Sequence, residues 1–176
     1  MNKYLRVTIW LLFIFGGIAL SIYIDKHIFH YERITDTWLY YIINMVGIIL
    51  FVWAFIVSGN VGRTLSKHGR RSKGLSRLQT DTLVITGVYS MMRHPMSQAL
   101  LTFPMAVALM TTSPSFIFII APLETLIMIL MIRFIEENET RKKFGDAYVS
   151  YCVNTPRFCY RWQCIKALLK NPDASL

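Results

Sequence analysis

Two uninterrupted apolar runs of about 20 residues fill most of the first third of the chain, and nothing else in it restricts the fold as strongly. Leu5 to Ile24 carries a single cation, Arg6, near its start and no ionisable group after it, and Trp38 to Val57 carries none at all. A helix rises about 1.5 Å per residue, so each run covers roughly 30 Å, the thickness of a bilayer's hydrocarbon core. Hydrocarbon offers no water to pair with backbone N–H and C=O groups, so a segment of this kind crosses it as a helix. Lys3 and Arg6 would also suit a signal peptide, but the apolar stretch is long and no small-residue cleavage site follows it, which favours a retained span. Two further apolar stretches lie between Pro95 and Ile135, separated by Thr111-Thr-Ser-Pro114. Pro95 suits the first turn of a helix, where its missing N–H would be unpaired anyway, and Ser113-Pro114 repeats the device as N-cap and first helical residue. The expected fold is all-α, a polytopic membrane helical bundle of about four transmembrane helices forming a single integral membrane domain over 1–176. Its spans are expected at about 5–24, 38–57, 95–112 and 114–135, with Pro104 kinking the third. A loop at 59–94 and a C-terminal region at 136–176 complete it.

The net charge of +9 falls on a chain that is 54% hydrophobic and only 16% charged, below the quarter or so of ordinary soluble domains. Its distribution speaks for a membrane and against nucleic acid. Arg63, Lys67, Arg70, Arg71, Lys73 and Arg77 follow the second apolar run, and further cations occur from Arg133 to Lys170. The loop between the first two runs sets Lys26 and Arg33 against Asp25, Glu32 and Asp36. The positive-inside rule then places both termini and the long basic loop in the cytoplasm, as a multi-pass integral membrane protein. The basic loop fits contact with anionic lipid, and equally a direct part in substrate binding. Gly59, Gly62, Gly69 and Gly74 predict an irregular loop there. Cys152, Cys159 and Cys164 form no C-x-x-C pair and are expected as reduced thiols on the cytoplasmic side. His27 and His30 lack a third ligand, so no metal site is expected. In the tail, Phe158, Trp162, Ile165 and Leu169 share one helical face while Arg157, Arg161, Lys166 and Lys170 surround it, which predicts an interfacial helix, with a lid over a site as the other reading. The oligomeric state is left open.

Ionisable chemistry concentrates at two places that bracket the predicted hairpin. Gly87-Val-Tyr-Ser-Met-Met-Arg-His-Pro95 precedes it, with His94 near the N-cap and Tyr89 and Arg93 on the approach. The free N–H groups of a first helical turn attract anions, and a guanidinium and an imidazole beside them would add charge-assisted hydrogen bonds to a carboxylate or phosphate. Arg93 and His94 alone equally fit interfacial residues reaching for headgroups. Glu136 and Glu137 close the hairpin. Both equally fit a solvated helix end; Glu137 is spaced for an i,i+4 pair with Arg141, and Glu139 for one with Lys143, which leaves Glu136 freer to bind a ligand. Gly145 is expected to end that helix. Glu124 lies mid-span beside Pro122, where a carboxyl is costly, and is either functional or held as a neutral acid inside the helices.

Taken together, the segment from Leu83 to Phe158 resembles the superfamily of integral membrane methyltransferases that includes isoprenylcysteine carboxyl methyltransferases and phospholipid methyltransferases. The resemblance rests on Leu83-Val with Thr86-Gly-Val-Tyr89, Arg93-His-Pro-Met96, Glu136-Glu137, Phe144-Gly145, Tyr148-x-x-Tyr151 and Pro156-Arg157. It implies S-adenosylmethionine as cofactor, held by Gly87, Val88, Tyr89, Arg93, His94, Glu136 and Glu137, with Arg93, His94 and Glu136 taking part in catalysis. It further implies a lipophilic or membrane-embedded acceptor met at the cytoplasmic face of the bilayer. Family members usually carry Tyr after Arg-His-Pro-x, whereas this chain has Ser97, Gln98 and Ala99. Ser97, Gln98 and Glu124 are therefore the expected substrate-binding positions. Competing readings are a membrane reductase using NADPH, of the sterol-reductase type, and a nonenzymatic membrane scaffold.

Overall fold

The computed structural model describes residues 3–30, 37–70 and 80–169, and the regular elements among them are helical. Helix α1 covers Lys3–His27 and α2 covers Trp38–His68. A 3-10 turn at Gly87–Ser90 precedes α3 (Pro95–Leu100) and α4 (Phe103–Thr111). Helix α5 runs over Phe116–Phe144, α6 over Asp146–Asn154 and α7 over Trp162–Leu169. Helices α2 and α5 are each long and apolar enough to cross a bilayer, so the chain has the all-helical membrane fold anticipated. Of the residues used in the charge argument, Glu32, Arg33, Asp36, Arg71, Lys73, Arg77 and Lys170 lie outside the described residues, as does Gly74.

Two boundaries differ from expectation. Helix α2 continues past Val57 through Gly59 and Gly62, so the first part of the expected irregular loop is helical. Each helical glycine costs about 1 kcal/mol relative to alanine. Val57, Val61 and Leu65, four residues apart, pack into one core, and burying such side chains yields about 1.5–3 kcal/mol each, so packing wins. The third expected span is split, because Pro104 takes the second position of α4 behind the N-cap Thr102, leaving α3 as a separate short helix. Proline cannot donate to a carbonyl four residues back, so the break sits where the ladder would have needed it.

By internal contacts the chain forms two compact units, Met1–Val52 with Leu101–Ile129, and Trp53–Leu100 with Leu130–Leu176. In the first unit, the start of α5 is capped by α1. Ser113 precedes Pro114, which has no N–H; the Ser115 N–H donates to Asp25 Oδ1 at 3.1 Å. Next, the Phe116 N–H reaches Ser113 Oγ at 3.2 Å and the Ile117 N–H reaches the Ser113 carbonyl at 3.0 Å. Every orphan donor of the first turn is thus accounted for. The Ser113 hydroxyl donates to Asp25 Oδ2 at 2.5 Å, and the Ser115 hydroxyl to the Ser21 carbonyl at 3.1 Å. Asp25, expected as a charge in an exposed loop, is instead a buried cap 6% exposed, since a carboxylate at a helix N-terminus gains from both the N–H groups and the dipole. Gly17, Ser21 and Asp25 recur every four residues, and a Cβ on Gly17 would lie 2.4 Å from Glu124 Oε1. On α2, a Cβ on Gly47 would lie 2.7 Å from the Met110 nitrogen, and Asn44 donates to the Met110 carbonyl at 2.7 Å.

The second unit gathers Val57, Val61, Val84, Tyr89, Met92, Ala99, Cys164 and Leu168. Helix α5 contains two wide turns, Phe116–Ile120 and Ile132–Glu136, each closed by an i→i+5 bond. Wide turns of this kind often mark functional positions. The second ends at Glu136, so the extra residue rotates the two glutamates around the helix relative to a regular continuation.

Replacing Asp25 removes the acceptor of two hydrogen bonds at a helix start, and we expect Asp25→Ala to cost about 2–3 kcal/mol. The check is a shift of the thermal midpoint of the detergent-solubilised protein, with Asp25→Asn in between.

Candidate functional site

Arg93, His94, Glu136 and Glu137, separated by up to 44 positions in the chain, meet in the second unit, with Tyr89 in the core of the same unit. Gly87, at φ +63°, starts the 3-10 turn in the left-handed region that suits glycine. The Val88 carbonyl then accepts from the N–H groups of Met91 and Met92, and buried Tyr89 faces the core. Tyr151 fastens this turn from α6, its hydroxyl donating to the Tyr89 carbonyl and, at 3.4 Å, to that of Met92. Arg93 and His94 follow in the link to α3. Their N–H groups donate to the carbonyls of Pro156 and Arg157 at 2.9 and 3.1 Å. The His94 carbonyl accepts from Gln98, which makes His94 the N-cap of α3 as expected. Its own N–H donates to the Arg157 carbonyl and Pro95 has none, so the first-turn backbone donors of α3 are those of Met96 and Ser97.

The Glu137 carboxylate is the meeting point. Arg93 Nη1 lies 3.1 Å from Oε1, and Arg157 grips both oxygens, Nε to Oε1 and Nη2 to Oε2, each at 2.9 Å. His94 Nε2 stands 3.4 Å from Oε1, and its Nδ1 stands 3.9 Å from Glu136 Oε2. The expected partner of Glu137 was Arg141, one turn along the same helix; the structure pairs it with Arg93 and Arg157. An exposed i,i+4 pair is worth only about 0.3–0.5 kcal/mol, whereas a bidentate guanidinium in a half-enclosed site is stronger and fixes geometry. Glu137 is 12% exposed against 35% for Glu136, so Glu136 is the more open of the two. The Thr140 hydroxyl donates to the Glu136 carbonyl at 2.7 Å, tying off a group loosened by the wide turn. Arg93 Nη1 also donates to Cys152 Sγ at 2.7 Å.

Burial lowers the basicity of His94, and this outweighs the nearby Glu137 carboxylate, so the imidazole is neutral at neutral pH. Its expected role as a cation becomes that of a neutral donor or acceptor. Burial would raise the Glu137 carboxyl, but the Arg157 hydrogen bond and the charges of Arg93 and Arg157 hold it below its ordinary value. Burial pushes the Tyr151 hydroxyl up to about 12 and moves Tyr89 and Tyr148 upward as well, so all three remain protonated donors. Arg93 Nε is buried without a hydrogen-bond partner, while buried His94 Nε2 and the Tyr148 hydroxyl have only weak contacts with Glu137 and Cys152. An unsatisfied buried donor costs about 1–3 kcal/mol, which favours a ligand group that accepts from several of them.

Of the expected substrate-binding positions, Ser97 is half-buried on α3. Gln98 is turned to the tail, its amide exchanging two bonds of 2.8 Å with the Cys159 backbone. Glu124, 6% exposed, belongs to the first unit. Sequence reasoning missed the placement of Arg157 and Cys152. It also took Cys159 and Cys164 as reduced thiols, whereas they form a disulfide with Cα atoms 5.9 Å apart. That distance is inside the range a disulfide can span, and no C-x-x-C rule detects a pair five residues apart.

A family model described as phospholipid methyltransferase matches residues 38–147. No curated protein and no solved structure matches the chain. The matched segment contains Gly87 to His94 and both glutamates, and ends before Tyr148.

The lowered values of His94 and Glu137 act on stability with the same sign. The unfolded chain binds more protons than the native one at both groups, so folding is most favourable above about pH 6.5, where the imidazole is neutral in both states, and weakens as pH falls. We expect the thermal midpoint to drop through the imidazole range first and the carboxylate range next. His94→Asn should flatten the upper part of that curve and leave the lower part in place.

Proposed function

The chain belongs to the phospholipid methyltransferase family, and from that premise we propose that it transfers a methyl group from S-adenosylmethionine to a lipophilic acceptor at the cytoplasmic face of a membrane. The acceptor class is a prenylcysteine-like carboxylate, a phospholipid amine or another small molecule that partitions into the bilayer. The observation that carries this reading is the convergence of Arg93, whose buried Nε has no hydrogen-bond partner, with His94 and Tyr148 beside the Glu136-Glu137 pair.

These groups suit the cofactor chemically. Arg93 and Tyr148 offer hydrogen-bond donors to a carboxylate, neutral His94 offers a donor or acceptor, and Glu136 offers a carboxylate to an ammonium or to hydroxyls. When bound, S-adenosylmethionine supplies an electrophilic methyl group on a sulfonium. What the chain contributes is position. Two reactants held in line gain an effective concentration that removes several kcal/mol from the barrier without any covalent step by the protein. Tyr151 holds the Gly87–Ser90 turn, and the Pro156 and Arg157 carbonyls hold Arg93 and His94, so the donors are fixed before the ligand arrives. A carboxylate acceptor needs no general base; for an amine acceptor, Glu136 or neutral His94 can take the proton. The excess of cations after the second apolar run supports an orientation with this site and both termini in the cytoplasm, in a multi-pass arrangement of about four spans. A single integral membrane domain of this kind would admit its acceptor from the lipid, with Ser97 tuning specificity.

Membranes containing the protein, given methyl-labelled S-adenosylmethionine, should yield label in the organic-extractable fraction, identifiable by mass spectrometry. Arg93→Ala and Glu136→Gln should each lower the rate about a hundredfold, the usual cost of losing one preorganised polar group. Finding neither labelled product nor binding of S-adenosylmethionine would overturn the proposal.

A further inference from the structure

The segment after α6 was expected to anchor the chain at the membrane surface, with a lid over a site as the other reading, and its contacts point at the site. Residues 156 and 157 accept the N–H groups of Arg93 and His94, and the Arg157 side chain binds both oxygens of Glu137. Two residues further on, Cys159 exchanges its N–H and carbonyl with the Gln98 amide. The Cys159–Cys164 disulfide then leads into α7, whose Cys164 and Leu168 are buried in the core that also holds Tyr89 and Met92. At its far end, Asn60 donates to the Leu169 carbonyl at 3.2 Å. The exposed face of α7 still presents Trp162 and Leu169 outward, so anchoring and strapping use different sides of the same helix.

We propose that Arg157 is a positioning residue of the site, acting through Glu137 on Arg93 and His94, and that residues 155–169 form a strap completing the site. The assignment goes beyond the matched family segment, which ends at residue 147. It rests on the methyl-transfer reading only where cofactor binding is measured.

The physical argument is a competition for one carboxylate. Glu137 Oε1 has three neighbours, Arg93 Nη1, Arg157 Nε and His94 Nε2, and Oε2 has Arg157 Nη2. Because Arg157 satisfies both oxygens in a planar fork, Arg93 shares one oxygen, keeps its contact with Cys152 and leaves Nε unspent. Removal of Arg157 would draw Arg93 and the imidazole onto Glu137. The groups facing His94 are Arg93 from its own segment, Glu136 and Glu137 from α5, and Arg157 and the Phe158 ring from the strap; Tyr148 and Cys152 of α6 face Glu137 and Arg93. Within this set Arg157 opposes protonation of His94 and Glu137 favours it. Loss of the Arg157 charge therefore raises the His94 midpoint.

The test uses the full chain in detergent, with carbon-labelled histidine followed by NMR across pH and the His94 signal assigned by His94→Asn. In Arg157→Gln the His94 midpoint should rise by about one pH unit, the order expected for removing one charge at such distances, and S-adenosylmethionine should bind at least about tenfold more weakly. Arg157→Lys keeps the charge but not the fork, so the midpoint should stay near the original while binding falls to an intermediate value. Equal losses of melting temperature in both folded variants with the His94 midpoint unmoved would mean a structural role only and would overturn the proposal. If the midpoint moves as expected while the unaltered protein binds no S-adenosylmethionine, the coupling stands and the methyl-transfer reading falls.

Discussion

Glu137 holds its carboxylate among two guanidiniums and an imidazole at a place where water reaches only a small part of it. A carboxylate and a cation on an open surface contribute about 0–1 kcal/mol, and their loss is hardly felt. Enclosure changes the balance, because each charge now depends on the others for the solvation it has given up, and removing one partner exposes the rest to an uncompensated cost of several kcal/mol. Arg93, His94 and Arg157 come from two segments joined by backbone hydrogen bonds, and the carboxylate draws their side chains to one point. The wide turn in α5 aims the glutamates, the strap carbonyls fix the Arg93 and His94 backbone, and Tyr151 fixes the turn before them. These devices set the backbone, and the carboxylate sets where the side chains meet.

The first unit uses the same physics for a different end. Asp25 is a buried carboxylate whose oxygens take the Ser113 hydroxyl and the Ser115 N–H at the beginning of α5. In an apolar environment a polar group must find its partner within the protein, so a cap of this kind fixes helix against helix more tightly than apolar packing alone. Elsewhere in the unit, glycine at position 47 permits close approach to the backbone of Ala106 and Met110. One carboxylate in this fold secures helices, and another secures a site.

Much of this was legible in the residue order. Lengths and hydropathy of Trp38–Val57 and the segment ending at Ile135 gave helices, and Ser113-Pro114 gave a helix start with the capping geometry then observed. Gly145 ends the helix it was expected to end, at φ +56°. Arg93, His94 and the two glutamates were expected to face one another because a hairpin returns the chain to its starting level, and they do meet. Local spacing failed where a distant partner was better. Arg141 is one turn from Glu137 and Arg157 twenty residues away, but only the distant residue offers a bidentate grip in a half-enclosed place. The helical course of Gly59 and Gly62 was hidden for a related reason, since glycine content reports local propensity while Val57, Val61 and Leu65 report burial. Pro156-Arg157 was visible as a motif, yet its role is a matter of three-dimensional contact that no spacing rule encodes.

The claim that one carboxylate organises the site is tested most directly by calorimetric titration of Glu137→Gln with S-adenosylmethionine. This substitution keeps the size and shape of the side chain while removing the charge that Arg93 and Arg157 share. The account predicts a folded protein whose affinity for the cofactor falls by more than about tenfold, as donors fixed for a ligand lose their common anchor. A folded Glu137→Gln protein that binds S-adenosylmethionine as tightly as the unaltered chain would contradict it.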